Sequence, residues 1–182
     1  MLKKITDPFI LSFLILVILG GTLAYLKIGP RLKEKQNKPW LADKIESVDK
    51  IRIKNSQQEA ILIKKNNKWL VASENDSATD PEKIKDLLGA LGKLNKKELV
   101  SENEDNQQKL GVDQENGIKL KVYQNNQLLL DLLVGYAGPD FEKAYIRFPN
   151  EKKVYLSNVP LRSVLIQPRW AKEVKEAAED SS

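Results

Sequence analysis

Three carboxylates, Asp131, Asp140 and Glu142, surround the segment Gly135-Tyr136-Ala137-Gly138, and they come nearest to a chemical constellation in this chain. Two carboxylates held in different environments can divide general acid and general base work. A glycine-containing loop can bring backbone N–H groups against a phosphate. Neither pattern is complete here. The loop lacks the Lys-Ser/Thr pair of a P-loop and opens no helix, Asp131 falls inside a strand pattern, and Asp140 follows Gly138-Pro139 as a turn residue. The acidic stretch Ser101–Asn106, with Glu102, Glu104 and Asp105, lacks the D-x-D-x-D-G spacing and later bidentate glutamate of a calcium loop. The chain has no Cys and no His. Disulfides, thiol nucleophiles, zinc-thiolate sites and histidine-dependent nucleophilic catalysis are therefore excluded, as is the commonest pH switch. No catalytic, cofactor-binding or metal-ligating residue is assigned, and no cofactor is expected.

The elements around these residues read mostly as strands. Ile51 and Ile53 alternate with Arg52 and Lys54, Ala60–Ile63 follows after a polar turn, and Trp69–Val71 follows Asn66-Asn67. Asparagine tolerates left-handed backbone, so Asn-Asn between β-forming runs predicts a tight hairpin. Asp80, Pro81 and Glu82 mark a helix start, as N-cap, first helical residue and acid at the positive end of the dipole. Ile84, Leu87, Leu88, Leu91 and Leu94 then recur at helical spacing, as a face packing on a sheet would. Lys97–Val100 reads as a short strand and Gln107–Leu110 as a turn. A second meander follows: Ile118, Leu120 and Val122 alternate with Lys119, Lys121 and Tyr123, Asn125-Asn126 supplies a turn, Leu128–Val134 is an interior strand ended by Gly135, and Ala144–Phe148 and Val154–Leu156 complete it. Leu161–Ile166 reads as an apolar linker, and Pro168 as the start of a final helix with Trp170, Val174 and Ala177 on one face. The fold class expected is α+β, with largely antiparallel sheet from two β-meanders around one amphipathic helix. An N-terminal transmembrane helix and a C-terminal helix flank it.

The N-terminus places the molecule. Pro8–Leu26 is free of charge, and at about 1.5 Å per residue such a helix approaches the ~30 Å apolar thickness of a bilayer. Phe9, Leu11, Phe13, Leu14, Leu16, Val17, Leu19, Leu23 and Leu26 would face lipid, with Lys27, Arg31, Lys33 and Lys35 on the headgroups. The division expected is an N-terminal tail (1–7), an anchor (8–27), a basic stalk (28–44), the α+β domain (45–166), and a C-terminal helix and tail (167–182). Residues 1–38 hold seven Lys/Arg against two acids, whereas 39–182 hold 23 of each sign. The whole net charge of +5 thus belongs to the anchor and its flanks, and no nucleic-acid partner is expected. Counted literally, the basic C-terminal flank puts the domain in the cytoplasm, while Lys3 and Lys4 make the short N-terminal tail a retained one.

Several short segments, in order, resemble domain of unknown function 4340. They are Val48–Ile53, Lys68–Val71, the Asp80-Pro81 helix with its Leu-Leu pair, and Leu110-Gly111-Val112-Asp113, with Lys109 where an aromatic is usual. Leu133-Val134-Gly135, Ala144–Arg147 and Lys153–Leu156 continue the series. The resemblance covers about residues 45–165. It implies a membrane-anchored, extracytoplasmic α+β domain, in some members associated with gliding-type ABC transporter components, and carries no catalytic residues. It tips the expected topology toward an exported domain. The function expected is a single-pass, non-enzymatic protein whose domain mediates interaction or assembly, with the lipid bilayer and another membrane or envelope protein as partners, an ABC-transporter-type complex among them. The alternative is a membrane-tethered enzyme or small-ligand-binding module using the carboxylates near Gly135–Glu142.

Overall fold

In the computed structural model, residues 9, 12–22 and 38–172 are described, and the chain divides into two compact units, Met1–Lys38 and Pro39–Ser182. In the first unit residues 12–22 are helical. Among the described residues no helix is long and apolar enough to cross a membrane. The expected anchor residues Leu11, Leu23 and Leu26, and the expected headgroup contacts Lys27, Arg31, Lys33 and Lys35, lie outside the described residues.

The second unit is built on alternation. Strands β1 (Lys50–Lys54), β2 (Glu59–Lys65), β3 (Lys68–Val71) and β4 (Ser77–Ala78) form one meander, and β6 (Ile118–Gln124), β7 (Gln127–Ala137), β8 (Ala144–Arg147) and β9 (Val154–Ser157) a second. With β5 (Lys96–Ser101) they make a single nine-stranded sheet, ordered β4-β3-β2-β1-β6-β7-β8-β9-β5, in which every pairing is antiparallel. Ile51 stands opposite Leu62 on one side and Val122 on the other, and all three are buried. Side chains alternate along a strand, so this register puts Ile53, Leu120 and Leu132 on the same inner face. Both Asn-Asn turns have left-handed backbone, with φ of 50° and 61° at Asn66 and Asn67 and 48° and 63° at Asn125 and Asn126.

Helix α1 (Pro81–Lys93) covers the inner face. The Asp80 side chain accepts the backbone N–H groups of Glu82 and Lys83, and Ile84, Leu87 and Leu91 are buried in the same core as the inner strands. Two shorter α-helices follow among the described residues: α2 (Asn106–Lys109), where a turn was expected, and α3 (Leu161–Leu165), where a linker was expected. Helix α3 buries Leu161 and Leu165 and packs against α1 and β7. The compact unit begins upstream of the expected boundary at 45. Leu41 is buried, and Trp40 meets Phe148 at 5.2 Å between ring centroids.

Two further expectations need correction. Gly135 does not end β7, which runs on to Ala137. Residues 168–172 are not helical: Ala171 bridges Thr79, the Asp80 N–H donates to the Trp170 carbonyl at 2.9 Å, and the Lys172 N–H donates to the Ala78 carbonyl at 2.8 Å. Val174 and Ala177 lie outside the described residues. Trp170 owes its burial to this pairing rather than to a helical face.

The two halves of this unit share one plan. Each half runs as a four-stranded meander, a helix and a last extended segment, and each last segment joins the other half. Strand β5 pairs with β9, while 170–172 lies along β4. The junctions correspond: Asp80, before α1, bonds Trp170, and Asn158, before α3, donates its N–H to the Asn95 carbonyl at 3.1 Å. The Asn-Asn turns do not correspond, joining β2 to β3 in one half and β6 to β7 in the other.

Candidate functional site: a backbone clasp and an open strand

Gly135 lies where two backbones nearly touch. A Cβ there would stand 2.2 Å from the Leu110 carbonyl oxygen and 2.6 Å from Val112 Cγ1. The same carbonyl accepts the Tyr136 N–H at 2.9 Å. Gly111 crosses with φ +68°, and a Cβ on it would sit 3.0 Å from the Tyr136 ring. The glycine segment is thus the floor of a crossing between β7 and the loop after α2, with no resemblance to a phosphate cradle opening a helix.

Two arginines fasten this crossing. Arg147, almost fully buried, donates from Nε to the Val112 carbonyl at 2.9 Å, and from Nη1 to the carbonyls of Pro149 and Glu151 at 3.0 and 2.9 Å. Arg162 donates from Nη1 to the Gly135 carbonyl at 2.7 Å and lies 5.3 Å from the centre of the Tyr136 ring. Burial lowers the pKa of both guanidinium groups, opposed at Arg147 by Asp113 and Glu104, and at Arg162 by Tyr136. Asp113 accepts the N–H groups of Glu115 and Asn116 at 2.8 and 3.0 Å, closing the loop. Desolvation works against its charge, but the hydrogen bonds from Asn116 and Glu115 outweigh it and hold the carboxyl below its ordinary range. Leu110–Asp113, Leu133–Gly135 and Ala144–Arg147, three of the motif segments, therefore meet in one structural clasp.

The three candidate carboxylates are not brought together. Asp131 faces Lys121 at 3.3 Å, and Asp140 pairs with Lys143 and accepts the Glu142 N–H at 3.2 Å. Six residue steps along an extended strand, roughly 20 Å, separate Asp131 from Ala137, where the turn to Asp140 begins. A groove of about 260 Å³ near this turn is lined by Ala137, Phe141, Lys143, Pro160, Arg162, Ser163 and Ile166, and by none of the three carboxylates. In the acidic loop, Glu102 pairs with Lys153 and Glu104 with Lys152, both at 3.2 Å. Among the described residues no group of three or more carboxylates is placed to hold a metal.

What the sheet leaves open is β5. Among the described residues it has β9 on one side only, its register slips twice, and five of its six residues are exposed, including Leu99 (46%) and Val100 (38%). A strand edge presents unpaired N–H and C=O groups that another strand can use. The sequence expectation for this segment is a short strand with no edge assigned; the charges of Lys96, Lys97 and Glu98 beside Leu99-Val100 are the signal that marks an edge. Phe141, at the tip of the β7–β8 turn, is 80% exposed and has φ +58°. Nothing in its sequence neighbourhood marked it.

In the N-terminal unit Phe9, Phe13, Leu14, Leu16, Val17 and Leu19, the described residues of the expected anchor, are all exposed. The polar side chains of the helical run bond to its own backbone: Ser12 Oγ donates to the Phe9 carbonyl at 3.0 Å, and Thr22 Oγ1 reaches the carbonyls of Ile18 and Leu19 at 3.0 and 2.9 Å.

A family model described as domain of unknown function (DUF4340) matches residues 69–168, from β3 through α3. No curated protein and no solved structure matches the chain.

Proposed function

The chain belongs to the DUF4340 family, and from that premise we propose that it is a single-pass membrane protein without enzymatic activity, whose α+β domain faces the extracytoplasmic side and mediates assembly with another membrane or envelope protein. The observation that carries the reading is the β5 edge. It combines a side with no neighbouring strand among the described residues with the exposed aliphatics Leu99 and Val100 at the end of a large sheet. Addition of a partner's strand there would supply main-chain hydrogen bonds, with alternate side chains giving selectivity. The separation of Asp131 from Asp140, each with a lysine partner, supports the non-enzymatic side. The uncharged Pro8–Leu26 and the self-satisfied hydroxyls of Ser12 and Thr22 support the anchor, since an apolar medium leaves side-chain donors no solvent to bond. An ABC-type transporter assembly is the complex that the family resemblance implies.

Crosslinking in intact membranes, followed by affinity purification in several mild detergents, tests the assembly reading. The full chain is expected to bring down a membrane or envelope protein, and the double variant Leu99→Glu/Val100→Glu is expected to lose it. Both positions are exposed, so the substitutions leave stability within about 0.5 kcal/mol. Recovery of monomer alone under every condition would overturn the reading. Protease accessibility of the domain in sealed vesicles, beside a protein of known orientation, tests the topology.

A further inference from the structure

The outer face of β1, β2 and β6 carries charge that neither the clasp nor β5 uses. Alternation sends Lys50, Arg52 and Lys54 of β1 and Lys119, Lys121 and Tyr123 of β6 away from the core. The register then sets like against like: Arg52 is directly opposite Lys121, and Lys54 directly opposite Lys119. Like charges in such positions repel. Among the described residues, two carboxylates answer these five cations. Glu59 lies 3.2 Å from Arg52 and 3.5 Å from Lys54, and Asp131 lies 3.3 Å from Lys121. Even the first pair is imperfect, because the Arg52 Nε is buried without a hydrogen-bond partner. Lys119 has no carboxylate partner among the described residues, and the Lys50 ammonium sits 5.3 Å from the Tyr123 ring centre.

The neighbouring row is apolar on either side of Lys50. Ile63 lies opposite Leu70 and next to Lys50, Tyr123 lies opposite Leu128, and Leu128 is exposed. Lysines and arginine beside aliphatic and aromatic side chains on one sheet face match a bilayer interface. There, ammonium groups meet lipid phosphates, while apolar groups and lysine stems settle against the acyl boundary. We propose that this open sheet face docks on an anionic lipid surface, laying the domain against a membrane through Arg52, Lys54, Lys119 and Lys121. The site is independent of β5. It rests on the anchored reading only for keeping a bilayer within reach.

The chain has no native cysteine, so single labels can be introduced cleanly. A polarity-sensitive fluorophore is placed at Leu128→Cys on the open face, or at Asp86→Cys on the exposed side of α1. The full-length protein is reconstituted into nanodiscs of zwitterionic lipid or of zwitterionic plus anionic lipid. The Leu128 label is expected to shift to an apolar signal only with anionic lipid, and to revert in high salt, while the Asp86 label stays unchanged. Lys119→Glu and Lys121→Glu are expected to remove the shift, and each to lower partitioning onto anionic vesicles by at least about fivefold. If the chain sits in the nanodiscs but the open-face label responds to neither lipid, the anchored reading survives and the docking proposal is overturned. If the chain fails to enter nanodiscs, the anchored reading falls, and flotation with free anionic vesicles decides docking by the same two variants. Equal shifts at both labels, or a response to polyglutamate and none to anionic lipid, also overturn it.

Discussion

Gly135 shows how little room a family motif can leave. The Leu110 carbonyl must come close enough to accept the Tyr136 N–H, which brings it within 2.2 Å of the site a methyl group would take. Arg147 and Arg162 then hold the two crossing backbones through carbonyl oxygens, which gives both cations a structural assignment. Gly135→Ala is expected to destabilise the domain by about 3 kcal/mol, since the clash is with backbone and cannot be relieved by a rotamer change. Thermal or urea unfolding reads it, and a loss below about 1 kcal/mol would show that the crossing can open. In the sequence, this glycine invited comparison with a phosphate loop. Nothing local showed that its neighbour in space is Leu110, because the contact spans two elements and a register.

At the scale of elements, local rules were legible where local physics decides. The Asp80 cap, the Pro81 start, the aliphatic stripe of α1 and the alternation in β1 and β6 all appear as expected. The errors fall where tertiary pairing overrides local preference. Residues 170–172 extend along β4 instead of continuing a helix, and β7 runs through Gly135 because β8 pairs with it as far as Ala137. Helix α1 also holds a residue that packing does not demand. At Gly89 a Cβ would meet nothing within 4 Å, beside a shallow groove lined by Ile45, Trp69 and Leu88. Gly89→Ala is therefore expected to raise stability by about 1 kcal/mol through helix propensity alone. For a domain of this size that is a rise in Tm of about 4 °C by differential scanning calorimetry. A fall would mean that the groove needs the space.

At the scale of the molecule, the exchange of last segments makes the two halves interdependent. Trp170 belongs to the second half by chain order, yet its carbonyl completes the approach to α1 in the first, and the side chain is 2% exposed. Trp170→Ala is expected to cost about 3–5 kcal/mol. Native-state hydrogen exchange should show protection falling in β3 and β4 as far as in β7 and β8. Protection lost in one half only would show two units that unfold separately. The meanders could be read from the sequence, whereas the exchange could not. Neither β5 nor 170–172 carries a residue pattern that names its distant partner.

The pairing of β5 with β9 also imposes an order in time. Strand β5 ends at Ser101 and β9 begins at Val154, so the ribosome delivers the first long before the second. At about 5–20 residues per second, the interval is roughly 3–10 seconds. During it, Leu99 and Val100 lack the strand that later shields one side of them, and Lys96, Lys97 and Glu98 are the charges nearest to hand against premature association. The nascent chain must therefore keep its first half waiting, soluble and unfinished, until the second arrives to close it.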